Sequence, residues 1–190
     1  GEVLEKEKTR EMILELISDE QKEHFRKNGS LDFAYELGKE ARFRVNIFMQ
    51  RGNVSLVARR VNAEIPKFEQ LHLPDTLERI SGASQGLVLV VGPTGSGKST
   101  TIASMIDYIN RNQPCHIVTI EDPIEYIFED RKANVSQREV GIDVNDFDEA
   151  LEHMMRQDPD VAFVGEMRDP RTVSAGVRAA ETGHLVFATM

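Results

Sequence analysis

The chain has 190 residues, a formal net charge of −9, 40% apolar and 29% charged residues, and a single cysteine. Such a composition fits a globular protein in water, and its acidic balance argues against nucleic acid as the main partner. No apolar run approaches the roughly 20 residues that span a membrane, the first residues lack a signal peptide's apolar core, and Cys115, with no second cysteine to pair with, points to a reducing cytoplasm and a small core residue.

Met12, Ile13, Leu16 and Ile17 form the apolar stripe of a first helix. Ser18 and Asp19 then offer N-caps for a short second helix, which Gly29 ends. Two β-rich runs, 42–50 and 54–61, flank Gly52 and Asn53 and read as a hairpin with a two-residue loop. With that loop, Arg51 faces Val54 and Asn46 faces Arg59. One face carries Phe43, Val45, Ile47 and Met49 opposite Leu56 and Ala58; the other carries Arg42, Arg44, Asn46 and Gln50 with Ser55 and Arg59. Arg44 and Arg59 become diagonal neighbours, about 7–8 Å apart at the backbone. Two arginines so close repel unless they serve an anion or a carboxylate; the plainer alternative is a solvated strand face. Residues 66–74, bracketed by Pro66 and Pro74, read as a linker between a first domain (1–65) and a second (75–190).

The second region opens with a short helix, about 75–80, and then alternates apolar strands with helices: strand 86–91, helix 98–111, strand 116–120, helix 147–157 with Asp146 as N-cap, strand 161–164, helix 170–181 and strand 184–189. Short apolar strands separated by helices imply α/β architecture with a parallel sheet covered on both faces. Between the first strand and its helix lie Gly92, Pro93, Thr94, Gly95, Ser96, Gly97, Lys98 and Ser99, followed by Thr100. Strand, glycine-rich loop and helix in this order bind a nucleoside triphosphate. The glycines let backbone N–H groups turn inward around the phosphates. Lys98 reaches the β- and γ-phosphates, Ser99 holds Mg²⁺, and the helix N-terminus faces the same anion.

Ligands in such a sheet sit at the carboxyl ends of the strands. The second strand ends in Glu121, Asp122 and Glu125, and the third in Glu166, Arg168 and Asp169. Phosphoryl transfer to water needs held phosphates, a coordinated metal and an oriented or deprotonated water. Lys98 and Ser99 meet the first two needs, Glu166 orders the Mg²⁺ shell, and Glu125 or Glu121 acts on the water. Asp169, before Pro170, also suits a helix cap, and Arg168 suits pairing with a nearby acid. His184, opening a strand, is placed to report on a γ-phosphate or to serve structure alone. Charge is split along the chain: residues 121–160 carry thirteen acids against four bases, whereas 41–61 carry five arginines and no acid.

The motifs Gly-Pro-Thr-Gly-Ser-Gly-Lys-Ser-Thr, Thr-Ile-Glu-Asp-Pro-Ile-Glu-Tyr (119–126), Gln-Arg-Glu-Val-Gly (137–141), Gln-Asp-Pro-Asp (157–160) with Gly-Glu-Met-Arg-Asp (165–169), and Thr-Gly-His-Leu-Val (182–186) resemble those of the secretion-superfamily ATPases. The chain is most similar to the type IV pilus retraction ATPases, the PilT/PilU group, over roughly 40–189. The resemblance implies a RecA-like P-loop ATPase core, incomplete at the C-terminus, after a small α+β PAS-like domain, itself N-terminally incomplete. It implies ATP and Mg²⁺ as ligands, a homo-hexamer, docking on an inner-membrane pilus platform protein and a cytoplasmic, peripheral location. It makes Glu125 the general base, Glu166 the Walker B residue, His184 part of the His box, and Arg44 and Arg59 ligands of a nucleotide held by a neighbouring subunit. The family extends well beyond Met190, so the chain is expected to be a fragment. The alternatives are a pilus assembly or type II secretion ATPase, and a module that binds nucleotide without efficient turnover.

Overall fold

The structure, a computed structural model, describes residues 5–38, 41–61 and 64–190, and the chain separates into two units, 1–63 and 64–190. In the first unit, helices α1 (Lys6–Glu15) and α2 (Asp19–Asn28) precede an antiparallel sheet of β1 (Ser30–Leu37), β2 (Ala41–Gln50) and β3 (Asn53–Val61), in that spatial order. Ser18 starts α2 through a capping box: its hydroxyl accepts from the Gln21 N–H at 3.2 Å while the Gln21 side chain accepts from the Ser18 N–H at 2.9 Å. Gly29, at φ 72°, closes the helix in the left-handed conformation that glycine adopts without strain. Ile13, Ile17, Phe25, Leu31, Phe33, Val45 and Ile47 form the core. Met12 and Leu16, expected in the buried stripe, lie outside it, 49% and 36% exposed. Strand β1 is an addition to the sequence reading, although Leu31, Phe33 and Tyr35 alternate with Asp32, Ala34 and Glu36 as a half-buried strand should.

The hairpin has a different loop from the one expected. Gln50 pairs with Asn53, leaving Arg51 and Gly52 as the loop, and Arg44 lies directly opposite Arg59 instead of diagonally. Both loop residues have positive φ, 50° and 76°, the type I′ geometry that follows the twist of the strands. The Asn53 side-chain amide donates to the Arg51 carbonyl at 3.1 Å. The two registers differ by two residues, which keeps every side chain on its face. The apolar pattern therefore could not choose between them, and turn geometry did.

The second unit is a five-stranded parallel sheet in the order β4 (Gly86–Val90), β8 (Leu185–Thr189), β7 (Val161–Val164), β5 (His116–Glu121), β6 (Asn134–Glu139). Its strands alternate between two cores. Ile117, Val161, Phe163, Leu185 and Phe187 face helix α4 (Lys98–Asn112), through Ile102, Met105, Ile106 and Ile109. Val118, Ile120, Ala162, Val164, Val186 and Ala188 face α5 (Phe147–Met154) and α6 (Pro170–Glu181), through Leu151, Met154, Ala179 and Ala180. Coverage on both faces explains the near-continuous apolar strands. Asp146 and Asp169 cap α5 and α6 with their side chains. The 66–74 segment, expected as a linker, packs into this unit: Phe68 is buried with Ile65 and Leu73 against the α4 core, and the Ser104 hydroxyl donates to the Pro66 carbonyl at 2.7 Å. Helix α3 (Thr76–Ser81) follows it.

Candidate functional site

Strand β4 ends and α4 begins across the glycine-rich loop. Gly95 and Gly97 have φ of 81° and 93°, and a side chain on Gly92 would meet the Ser96 hydroxyl at 2.8 Å. Among the described residues, no hydrogen bond uses the backbone N–H groups of Gly95, Gly97, Lys98 or Ser99. These are the unsatisfied donors of the fifteen-residue α4 and of the loop before it, and they make a cradle for an anion. Lys98 Nζ donates to the Gly92 and Pro93 carbonyls at 2.6 and 3.3 Å, so the ammonium is held over the same loop. The donor set fits a polyphosphate.

The carboxyl ends of β5 and β7 come to the same side. The Thr100 and Tyr126 hydroxyls hydrogen-bond at 3.0 Å, joining the first turn of α4 to the segment after β5. Gly165, after β7, donates to the Ile120 carbonyl at 2.7 Å, and a side chain there would meet backbone atoms of Ile120 and Glu121 at 3.2 Å. Glu166 pairs with Arg168 at 2.6 Å. That hydrogen bond holds the Glu166 carboxyl below its ordinary range, and the Lys98 charge acts in the same direction. Among the described residues, no three His, Cys, Asp or Glu side chains gather as a ready metal site. Mg²⁺ keeps waters and takes one or two protein oxygens beside substrate phosphates, and the Ser99 hydroxyl and the Glu166 carboxylate are oxygens of the kind it takes.

The two glutamates considered for water activation differ sharply. Glu121 is 5% exposed, and its Oε1 accepts from the Thr119 hydroxyl at 2.7 Å and from Gln137 Nε2 at 3.2 Å. Burial pushes its carboxyl up to about 7, against the pull of those two hydrogen bonds. Glu125 is exposed at the surface of the same segment. Asp169 caps α6 by accepting from the Arg171 and Thr172 N–H groups. Arg44 and Arg59 are exposed in the first unit, and among the described residues neither guanidinium has a side-chain partner.

His184 lies elsewhere than expected. It precedes β8, and its carbonyl accepts from Gly86 N–H at the start of β4. It therefore stands at the amino edge of the sheet, and at a strand's rise per residue the length of β8 alone puts it about 13 Å from the carboxyl edge. Its Nδ1 lies 3.0 Å from the Ala179 carbonyl and 3.2 Å from the Thr182 hydroxyl, contacts that tie α6 to β8. The sequence reading also missed Tyr126, Gln137 and Glu139, of which the last is buried and accepts the Ile124 N–H at 3.1 Å. The only signal for the latter two was their place in the motif at 137–141.

The family model for type II/IV secretion system proteins matches residues 14–190. The chain belongs to the type II/IV secretion system protein family. It is 46% identical over 179 residues to a twitching motility protein of Neisseria gonorrhoeae, covering 94% of this chain and 48% of that one. It is also 46% identical over 187 residues to the type IV pilus retractation ATPase PilT of Pseudomonas aeruginosa, covering 98% and 54%. Among solved structures, the pilus retraction motor PilT with bound ADP superposes with a TM-score of 0.93 at 52% identity, over 96% of this chain and 53% of that one. The Legionella pneumophila ATPase DotB superposes at 0.80 with 29% identity, over 100% of this chain and 55% of that one. The chain thus spans about half the length of the relatives it matches. The glycine-rich loop at 92–99 lies within the residues that the family model matches. No helix among the described residues is long and apolar enough to cross a membrane.

Proposed function

We propose that the protein carrying this chain is an ATP-hydrolysing motor that powers type IV pilus retraction. The observation that carries this reading is the set of unpaired N–H groups of Gly95, Gly97, Lys98 and Ser99 with Lys98 Nζ held over the same loop, together with an exposed Glu125 on a segment tied to α4. The relatives named as a pilus retractation ATPase and as a retraction motor with bound ADP supply the substrate and the task.

In this mechanism the loop N–H groups and Lys98 bind the β- and γ-phosphates. Ser99 and Glu166 would hold Mg²⁺, which would supply charge neutralisation for the phosphates. Arg168 holds Glu166 in place through their ion pair. Glu125 takes a proton from water, the water oxygen forms a bond to the γ-phosphorus, and the bond to the β–γ bridging oxygen breaks, leaving ADP and phosphate. Buried Glu121 supports the segment that presents Glu125.

The second unit corresponds to the RecA-like core and the first to a PAS-like domain. In a homo-hexamer, Arg44 and Arg59 reach a nucleotide held by the next subunit and offset charge there. Their direct cross-strand pairing without an acid between them favours an anionic partner over mutual contact. Docking on an inner-membrane platform protein places the motor peripherally at that membrane.

The test is Mg²⁺-dependent ATP hydrolysis by the whole protein and by Lys98→Ala. Hydrolysis that falls by about a hundredfold or more in the variant is expected, on the scale of lost transition-state charge stabilisation. No hydrolysis by the wild type, or an unaffected variant, overturns the proposal.

A further inference from the structure

β6 is the most polar strand of the sheet, and its side chains converge on one segment. Register sets Thr119 beside Gln137 and Glu121 beside Glu139 on the α4-facing side. The segment that leaves β5 there carries backbone groups that burial deprives of water, so they need protein partners. Two side chains of β6 supply them. Glu139 accepts the Ile124 N–H at 3.1 Å. Gln137 Nε2 donates to the Tyr126 carbonyl at 2.8 Å and to Glu121 at 3.2 Å, while its Oε1 accepts the Phe128 N–H at 2.9 Å. Glutamate lacks the donors that this fork needs, and leucine lacks donors and acceptor alike. Glu139 is itself fixed, since its N–H donates to Asp143 at 2.8 Å.

These bonds fall on both sides of Glu125. Ile124, Tyr126 and Phe128 are 5%, 7% and 8% exposed, while Glu125 and Ile127 point outward. The Tyr126 hydroxyl then reaches Thr100 in α4. Backbone pinned at 124, 126 and 128 fixes the direction in which the 125 side chain leaves the chain.

We propose that Gln137 and Glu139 are positioning residues for the reaction: they clamp the 124–128 backbone so that Glu125 meets the attacking water. The proposal rests on Glu125 being the base. Misplacing a catalytic group by a fraction of an ångström to an ångström costs rate without costing substrate binding.

The test uses steady-state ATP hydrolysis by the whole protein, with affinity for a non-hydrolysable ATP analogue and melting temperature measured on the same samples. Gln137→Leu and Glu139→Ala are expected to lower kcat by on the order of tenfold or more, with analogue affinity and KM unchanged within about twofold. Glu139→Gln keeps an acceptor for Ile124 and restores kcat to near the wild-type value. In a Glu125→Gln background, adding Gln137→Leu costs nothing further, because the clamp acts through Glu125. Wild-type kcat in both clamp variants, with Glu125→Gln inactive, overturns the clamp and leaves the base in place. An undiminished kcat in Glu125→Gln overturns the base itself. A full additional loss in the double variant overturns the positioning role. Should Gln137→Leu fail to fold, the pair Glu139→Ala and Glu139→Gln carries the same decision.

Discussion

The Glu121 carboxyl makes stability depend on pH in a way that one substitution should remove. Its ordinary value is 4.5, and in the fold it rises to about 7. A raised carboxyl disfavours the charged form in the native state, so the native state binds the proton more tightly than the unfolded chain does. Its contribution to stability is complete below about 4.5 and is lost as pH rises through about 7. Moving one carboxyl from 4.5 to about 7 corresponds to about 3 kcal/mol. Glu121→Gln keeps an oxygen that accepts from Thr119 and Gln137 and carries no charge at any pH. Urea denaturation of the two proteins is then expected to give similar stabilities near pH 5 and a variant more stable by up to about 3 kcal/mol near pH 8. Comparing the two proteins cancels every other titrating group. A difference that stays constant from pH 5 to pH 8, or one that favours the wild type at pH 8, refutes the burial argument.

Arg51 occupies a left-handed position in a type I′ loop that asparagine fills better, so Arg51→Asn is expected to stabilise the fold by about 0.5 kcal/mol in chemical denaturation. Phe187 is fully buried between β4, β7 and α4, and Phe187→Ala is expected to cost about 3–5 kcal/mol, read in the same assay. An Arg44→Ala, Arg59→Ala double variant of the whole protein is expected to lose ATP turnover by about a hundredfold or more while still binding nucleotide. Mixing it with Glu125→Gln subunits should restore part of that turnover, because some sites then combine an intact base with a neighbour's intact arginines.

Periodicity and loop chemistry made much of this molecule legible. The helices after the phosphate loop, their caps at Asp146 and Asp169 and the apolar strands β5, β7 and β8 follow from burial on both faces of one sheet. β6 escaped because Asn-Val-Ser-Gln-Arg-Glu is polar along an edge strand whose inward side chains serve hydrogen bonds instead of an apolar core. The hairpin register escaped because apolar alternation is blind to a two-residue slip. His184 was expected next to the site although a residue that opens a parallel strand stands at the amino edge of the sheet, opposite the carboxyl edge where the glycine-rich loop lies. The support of the 124–128 segment by Gln137 and Glu139 needed the cross-strand register, which no local pattern contains.

Glu125 stands at the centre of the account, and its substitution separates binding from chemistry. Glu125→Gln removes the proposed proton acceptor and leaves the loop, Lys98 and Ser99 untouched, so the whole protein is expected to bind ATP with wild-type affinity while kcat falls by about a hundredfold or more. A Glu125→Gln protein that turns over ATP at the wild-type rate contradicts the account.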